Sequence, residues 1–159
     1  MFGLFKSLPF QDPQLGDLLR SRGRWRGTLT LDSGTRIPLV LSGSRSEPDA
    51  QAVALARQVT TQFPSWRSAI ETALFEHYAP YADALTAGDR TSSAESFPRI
   101  ETPNQVWPHV SAAYVAVTPL DGVFTTEIGY TTGWDEEHTL GARFQSGRFI
   151  ELCGSVLRP

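Results

Sequence analysis

Residues 110–152 decide the fold, and they read VSAAYVAVTPLDGVFTTEIGYTTGWDEEHTLGARFQSGRFIEL. Runs rich in β-branched and aromatic residues alternate here with short turn segments, which is typical of consecutive strands. The runs are Val110–Thr118, Val123–Thr131, Thr139–Gln145 and Arg148–Leu152. The connections between them are too short to join anything other than antiparallel neighbours. This part of the chain therefore predicts a four-stranded antiparallel meander.

An earlier segment, Arg24 to Ser42, also alternates with period two and predicts a β-hairpin. Its turn is Asp32-Ser33-Gly34, with a glycine where a positive φ is needed. Pro38 has no N–H to donate, so we expect its strand to lie at a sheet edge at that point. Residues 1–19 form a lead-in whose phenylalanines and leucines we expect to pack against the domain, with a partner-binding patch as the alternative.

The central part of the chain predicts two helices. Apolar residues recur at helical spacing from Val53 to Phe63, and Pro64 then ends or bends the first helix. A second helical stripe runs from Trp66 to Tyr81. Residues 86–103 read as a surface loop, and residues 103–109 as a short helical turn. Taken together, the elements predict a single α+β domain over residues 1–159: an N-terminal hairpin, two central helices and the C-terminal meander.

Composition restricts the classes of function. The chain has 159 residues and a formal net charge of −3, so we expect neither nucleic acid nor a membrane as a partner. Cys153 is the only cysteine, and Lys6 and Pro9 interrupt the apolar start where a signal peptide would be continuous. These features predict a cytoplasmic protein. No sequence pattern indicates a cofactor, and no serine lies in a G-x-S-x-G motif, so no catalytic residue is assigned.

The densest polar cluster is Trp134-Asp135-Glu136-Glu137-His138. Asp135, Glu137 and His138 are chemically suited to bind a divalent metal. Alternate residues of an extended segment face opposite sides, however, so these three would converge only at a bulge or tight turn. We therefore expect a solvated hairpin turn with its acidic groups pointing to water, in which an Asp or Glu accepts backbone N–H groups and His138 packs beside Trp134.

Two segments offer anchors for a protein partner, because tryptophan and arginine dominate interface energetics. One is the turn just described, with Trp134, Asp135, Glu136 and His138. The other is the arginine-rich run before the hairpin, with Trp25 and Arg26. On a strand, the arginines at positions 20, 22, 24 and 26 would share one face, opposite Trp25. The same pattern is typical of a strand that exposes a charged face to solvent and buries an aromatic residue on the other face.

Three motifs carry a resemblance to a known group of proteins: Trp25-Arg26-Gly27, Leu74-Phe-Glu-His-Tyr78 and above all Trp134-Asp-Glu-Glu-His-Thr-Leu-Gly141. They resemble bacterial domain-of-unknown-function proteins that share a tryptophan–acidic–histidine–leucine–glycine segment leading into a late strand. Some of those proteins are suspected immunity proteins of toxin systems. The resemblance implies a binding role without catalysis, and it carries over no catalytic residue.

The sequence thus supports two hypotheses. The first is a non-catalytic module that binds another protein, either immunity-like or regulatory. The alternative is a small metal-assisted hydrolase that uses Asp135, Glu137 and His138. The identity of the partner and the oligomeric state do not follow from the sequence.

Overall fold

A computed structural model describes residues 7–32, 34–88 and 96–159. Within these residues the chain forms eight strands, one long helix and two single turns of 3-10 helix. The strands are β1 (Phe10–Asp12), β2 (Gly16–Ser21), β3 (Arg24–Thr30), β4 (Arg36–Leu41), β5 (Val110–Leu120), β6 (Val123–Thr132), β7 (Leu140–Gln145) and β8 (Arg148–Cys153). The helix α1 spans Ala50–Thr86, and the 3-10 turns are Pro103–Gln105 and Trp107–His109.

The eight strands form one sheet in the order of the sequence, β1 to β8. All neighbouring pairs are antiparallel except β4 and β5, which are parallel and pair through Leu39–Leu41 and Val115–Val117. Parallel neighbours need a long crossover connection, and α1 lies in that connection. The helix covers one face of the sheet, and the core lies between the two layers, from Leu18 and Trp25 at one end to Leu140 and Phe144 at the other.

The predicted fold class is wrong in its helical part, because residues 50–86 form one helix of 37 residues. Pro64 and Pro80 both lie inside it. A proline in a helix interior costs about 3 kcal/mol through its missing N–H and the clash of its ring. The apolar stripe continues through Pro64, and each fully buried large side chain contributes roughly 1.5–3 kcal/mol. Trp66, two residues after Pro64, stacks on Phe144 and donates its indole N–H to the carbonyl of Gly147. Packing against the sheet therefore offsets the local helix-breaking signal.

The prediction of a separate four-stranded C-terminal meander is also wrong. Strands β5 to β8 do pair antiparallel in order. The other edge of β5 pairs with β4, so all eight strands belong to one mixed sheet. Short turns specify which strands of a hairpin pair. Pairing across a crossover of this length depends on the packing of α1, which no local pattern encodes.

Part of the lead-in segment belongs to the sheet. Residues 10–12 and 16–21 are β1 and β2, and Leu18 lies in the core. The turn between the two strands is held by the buried Asp12, which accepts hydrogen bonds from the backbone N–H groups of Gln14 and Leu15 and from Arg57 on α1. Residues 1–6 of the lead-in and residues 89–95 of the predicted surface loop lie outside the described residues. In the described part, no helix has the length and apolarity that crossing a membrane requires.

The face of the sheet opposite α1 carries a smaller cluster of Val40, Tyr114 and Ala116. The Tyr114 ring lies directly over Gly129, and its hydroxyl donates to Glu127 at 2.5 Å. Glu127 also accepts from Arg143 at 2.8 Å. These contacts tie β5, β6 and β7 together on that face.

Candidate functional site

The segment from Trp134 to His138 joins β6 to β7, as the sequence predicts for a turn between adjacent strands. Its first two residues point inward instead of to solvent. Trp134 is 3% exposed, and its indole N–H donates to Nδ1 of His77 on α1 at 3.0 Å. Asp135 is also buried and accepts from the hydroxyl of Tyr81 at 2.8 Å. The segment therefore fastens the β6–β7 connection to the C-terminal half of the helix.

The expectation that all the acidic groups of this turn point to water is wrong for Asp135. Its carboxylate contacts Nδ1 of His138 at 2.9 Å and accepts from the backbone N–H of Glu137. Burial raises the pKa of Asp135, but the hydrogen bonds from Tyr81 and His138 outweigh burial and hold the pKa below its usual value. The buried carboxylate is therefore an anion with its lone pairs already occupied by protein donors.

The three suggested metal ligands do not all converge, because only the side chains of Asp135 and His138 are in contact. Glu137 and His138 are exposed, and Glu137 reaches Asp135 only through its backbone N–H. Across residues 7–32, 34–88 and 96–159, no group of three or more His, Cys, Asp or Glu side chains is placed to hold a metal ion. The chain bends at Glu136 and Glu137, which brings His138 back to Asp135 and leaves the Glu137 side chain exposed.

The other predicted partner-binding segment also turns its aromatic residue inward. Trp25 is fully buried, and its indole N–H donates to the carbonyl of Ser44 at 2.9 Å. Arg26 is partly exposed and donates to the carbonyls of Ser21 and Pro159. Contact of these residues, and of Trp134, Asp135, Glu136 and His138, with a partner stays a prediction. In this conformation only Arg26, Glu136 and His138 offer it an accessible side chain.

A different feature, which we call the β4–β5 cleft, lies where the sheet splits. The pairing of β4 with β5 begins at Leu39 and Val115, and the N-terminal parts of the two strands are not paired with each other. Pro38, which has no N–H, is the residue immediately before the pairing begins. The resulting cleft has a volume of about 360 Å³. Its lining includes Asp32, Ile37, Phe63, Arg67, Trp107 and Tyr130, which come from the β3–β4 turn, β4, α1, the second 3-10 turn and β6.

One wall of the cleft is a cation held against aromatic rings. The guanidinium carbon of Arg67 lies 4.5 Å from the ring centre of Trp107 and 5.9 Å from that of Phe63. Arg67 also forms an ion pair with Asp32 in the β3–β4 turn. The indole N–H of Trp107 donates to Glu71 at 2.6 Å. The ion pair and the hydrogen bond together hold the planar guanidinium and the indole in place at the rim of the cleft.

The floor of the cleft holds an unusual polar group. Tyr130 on β6 is 1% exposed, and its hydroxyl has no hydrogen-bond partner among the residues that the structure describes. Burial raises the pKa of Tyr130 well above its usual value, and the nearby charge of Arg67 opposes part of that rise. A buried polar group without a partner costs about 1–3 kcal/mol, so it is rare in native proteins and needs an explanation.

The sequence does not predict this cleft, because the residues that line it come from distant parts of the chain. Arg67, Trp107 and Tyr130 share no motif, and each fits its own local pattern: a polar face of a helix, a turn and a strand. Pro38 was the one available signal. A proline near the middle of a hairpin strand indicates missing pairing on one side, and the cleft opens on that side.

Comparison with known proteins gives one positive result. No curated protein and no solved structure is significantly similar to the chain. The model of the family described as "Domain of unknown function (DUF6985)" matches residues 14–156, which is most of the chain. This match agrees with the resemblance to domains of unknown function, whereas the shared tryptophan-to-glycine motif, the bacterial origin and the immunity role stay predictions. The chain therefore belongs to the DUF6985 family of domains of unknown function.

Proposed function

We propose that this domain is a non-catalytic module that binds another protein, and that the β4–β5 cleft receives a side chain of that partner. The observation that carries the proposal is the buried hydroxyl of Tyr130 at the floor of the cleft, which lacks a partner among the described residues. A bound partner would supply the missing hydrogen bond. The cytoplasmic location that the sequence predicts is part of the same proposal.

The unpaired parts of β4 and β5 favour a polypeptide as the ligand. Residues 110–113 of β5 and 36–38 of β4 face the split without pairing with each other. Unpaired strand edges carry backbone N–H and C=O groups that readily pair with another chain. The cleft is also small: about 360 Å³ is near the lower end of the range for ligand sites, roughly 300–1,000 Å³. A space of that size suits a single side chain brought in by a partner segment.

A catalytic role has less support. The hydrogen bonds of His77 and His138 are to Trp134 and Asp135, so these two histidines hold the turn instead of activating a nucleophile. The metal-assisted hydrolase suggested by the sequence would need the carboxylate of Asp135, whose oxygens already accept from Tyr81, His138 and a backbone N–H. Binding is therefore the function that the geometry supports best.

The experiment is site-specific photo-crosslinking in a lysate of the protein's own cells. A benzophenone amino acid is placed at Thr35, an exposed residue of the β3–β4 turn that lines the cleft, or at Ser21, an exposed residue at the end of β2. We expect a discrete crosslinked protein from position 35 and not from position 21. The arginine of a Thr35→Arg variant would crowd the cleft, so this variant should lose the partner in a pulldown, whereas the matched Ser21→Arg variant should keep it.

Two outcomes would count against the proposal. If positions 35 and 21 give the same crosslinked species, contact is non-specific. If neither position gives a discrete product while an unrelated position on the sheet does, the partner binds elsewhere and the β4–β5 cleft is not the recognition site.

A further inference from the structure

The chemistry of the β4–β5 cleft indicates which kind of side chain it receives, provided that the proposed binding function holds. We infer that the cleft binds a carboxylate, delivered as an aspartate or glutamate side chain of the partner protein, through the hydroxyl of Tyr130 and the guanidinium of Arg67. Some hydrogen-bond donors and acceptors of the cleft are already paired within the protein, and those that are not paired determine which side chain fits.

The hydroxyl of Tyr130 is an unused donor. It has no partner in the described part of the chain, and the Tyr130 side chain is 1% exposed, so a carboxylate reaches the hydroxyl only when the residues around it move aside. Because burial holds the pKa of Tyr130 above its usual value, the hydroxyl keeps its proton at neutral pH. Arg67 and Tyr130 line the same cleft, which places a positive charge in the surroundings of this hydroxyl. A proton-bearing hydroxyl beside a cation is matched by an acceptor, and best by an anionic one.

Arg67 is available as the second donor. Its guanidinium uses one nitrogen in the ion pair with Asp32, and a guanidinium has five N–H groups. The guanidinium carbon lies over the Trp107 ring, 4.5 Å from its centre, so this contact and the ion pair restrict the position of the group. A preorganised guanidinium edge is the geometry that binds carboxylates most effectively.

Other classes of side chain fit less well. A lysine or arginine of the partner would bring only donors towards Arg67 and Tyr130. The acidic groups nearby, Asp32 and Glu71, already accept from Arg67 and Trp107. An aliphatic or aromatic side chain could fill the space between Ile37 and Phe63, but it would leave the Tyr130 hydroxyl unpaired. A neutral amide could accept the hydrogen bond, but it would gain no charge interaction with Arg67.

The test uses two fragments of matched shape, 3-phenylpropionate and 3-phenylpropanamide, titrated into the isotope-labelled protein and followed by NMR. The phenyl group takes the apolar walls, and the two fragments differ only in the charge of the polar end. We expect the carboxylate to shift the backbone signals of residues 110–112 and of Tyr130, with an affinity at least about tenfold higher than that of the amide.

Three variants separate the two donors. Tyr130→Phe should weaken carboxylate binding about tenfold, which is the size of one charge-assisted hydrogen bond. Arg67→Met should abolish the preference for the carboxylate over the amide. Asp32→Asn removes the anion that competes for Arg67, so it should strengthen binding of the carboxylate and leave binding of the amide unchanged.

Equal binding of both fragments, or binding of neither, would overturn the inference. The result can also be told apart from the fate of the proposed function. A crosslinked partner at position 35 without any carboxylate preference would preserve protein binding and refute the carboxylate. Selective binding of phenylpropionate without any crosslinked protein would preserve the carboxylate site and show that its ligand is a free organic acid.

Discussion

The indole N–H of Trp134 donates to Nδ1 of His77 at 3.0 Å, and this hydrogen bond joins the turn after β6 to the helix α1. Nδ1 accepts a hydrogen bond only when it carries no proton. The contact therefore requires neutral His77, and burial favours that state by lowering the pKa of the imidazole below its ordinary value of 6.5. The position of the turn is thus coupled to the protonation of one histidine.

The first prediction concerns the pH dependence of stability. The folded-state pKa of His77 is depressed, so the unfolded chain binds this proton more readily than the native protein does. The contribution of His77 is complete above the unfolded pKa of about 6.5 and is lost as the pH falls through the folded pKa. We expect the free energy of unfolding, measured by urea denaturation, to fall between about pH 7.5 and pH 5.

The control is His77→Asn, which keeps an acceptor for Trp134 but does not titrate. The variant should be less stable at neutral pH, because it loses the ring contact with Tyr81, whose centre lies 5.4 Å from that of His77. Its unfolding free energy should nevertheless depend less on pH than that of the wild type. Equal pH slopes for the two proteins would refute the coupling.

The second prediction compares two buried tyrosines. The hydroxyl of Tyr78 donates to the carbonyl of Pro98 at 2.7 Å and accepts from the N–H of Ile100 at 3.1 Å. Tyr78→Phe should therefore lower the free energy of unfolding by about 1–3 kcal/mol. Tyr130→Phe removes a hydroxyl that has no partner in the described residues, so it should leave stability unchanged or raise it by up to about 1 kcal/mol.

Denaturant unfolding of the two variants under identical conditions provides the measurement. A large loss of stability in Tyr130→Phe would mean that its hydroxyl is satisfied within the folded protein. The Tyr130 hydroxyl would then give no reason to expect a ligand at the floor of the β4–β5 cleft.

Sequence patterns predict this fold where the determining interactions are local. The turns at Asp121-Gly122 and Ser146-Gly147 specify the hairpins on either side, and the sheet has them at those positions. Pro64 led to the wrong prediction of two helices. A proline interrupts only one hydrogen bond of a helix, whereas the buried face of α1 continues far beyond it. The parallel pairing of β4 with β5 depends on how that whole helix packs, and no short window of sequence contains this information.

The candidate site was predictable to a smaller degree. The cluster at Trp134 was recognised from its composition, but composition does not say which residues turn inward. Asp135 is buried because Tyr81, from a distant part of α1, supplies a donor for it. The β4–β5 cleft is even less predictable from the sequence, because Arg67, Trp107 and Tyr130 come together only when the helix lies on the sheet.

The third prediction tests how firmly the first strands belong to the domain. Asp12 accepts hydrogen bonds from Arg57 and from two backbone N–H groups, and these interactions, led by the one from Arg57, lower its pKa from 3.8. Asp12→Ala should lower the free energy of unfolding by about 1–3 kcal/mol, mainly because the buried N–H of Leu15 loses its acceptor. The Arg57 charge adds little to that cost, because its side chain is 43% exposed.

Asp17→Ala provides the matched control, because Asp17 is an exposed residue of the neighbouring strand β2 and should change stability by less than about 0.5 kcal/mol. Hydrogen exchange should increase in residues 10–21 of Asp12→Ala and stay unchanged in Asp17→Ala. The contribution of Asp12 is present above its unfolded pKa and is lost as the pH falls through the lowered folded pKa. Equal stability of the two variants would show that β1 is not anchored through Asp12.

The last prediction concerns the face of the sheet opposite the helix, where Gly129 supports the ring of Tyr114. A Cβ atom built on Gly129 would lie 2.2 Å from Cε1 of Tyr114, and both residues are in paired strands with little freedom to move apart. Gly129→Ala should therefore destabilise the domain by about 1–3 kcal/mol through overpacking. Gly154→Ala is the control, since its new Cβ would meet only Nε2 of His77, at an ordinary contact distance of 3.8 Å.

The cause of the loss can be identified with a double-mutant cycle. If the clash with the ring is responsible, Gly129→Ala should cost much less in a Tyr114→Ala background, and the two changes should show a coupling energy of at least about 0.5 kcal/mol. Additive effects in denaturant unfolding would place the cost in the backbone of β6 instead. Tyr114→Ala also removes the hydrogen bond to Glu127, but the cycle subtracts that cost, so its coupling energy reports the contact between the tyrosine and Gly129.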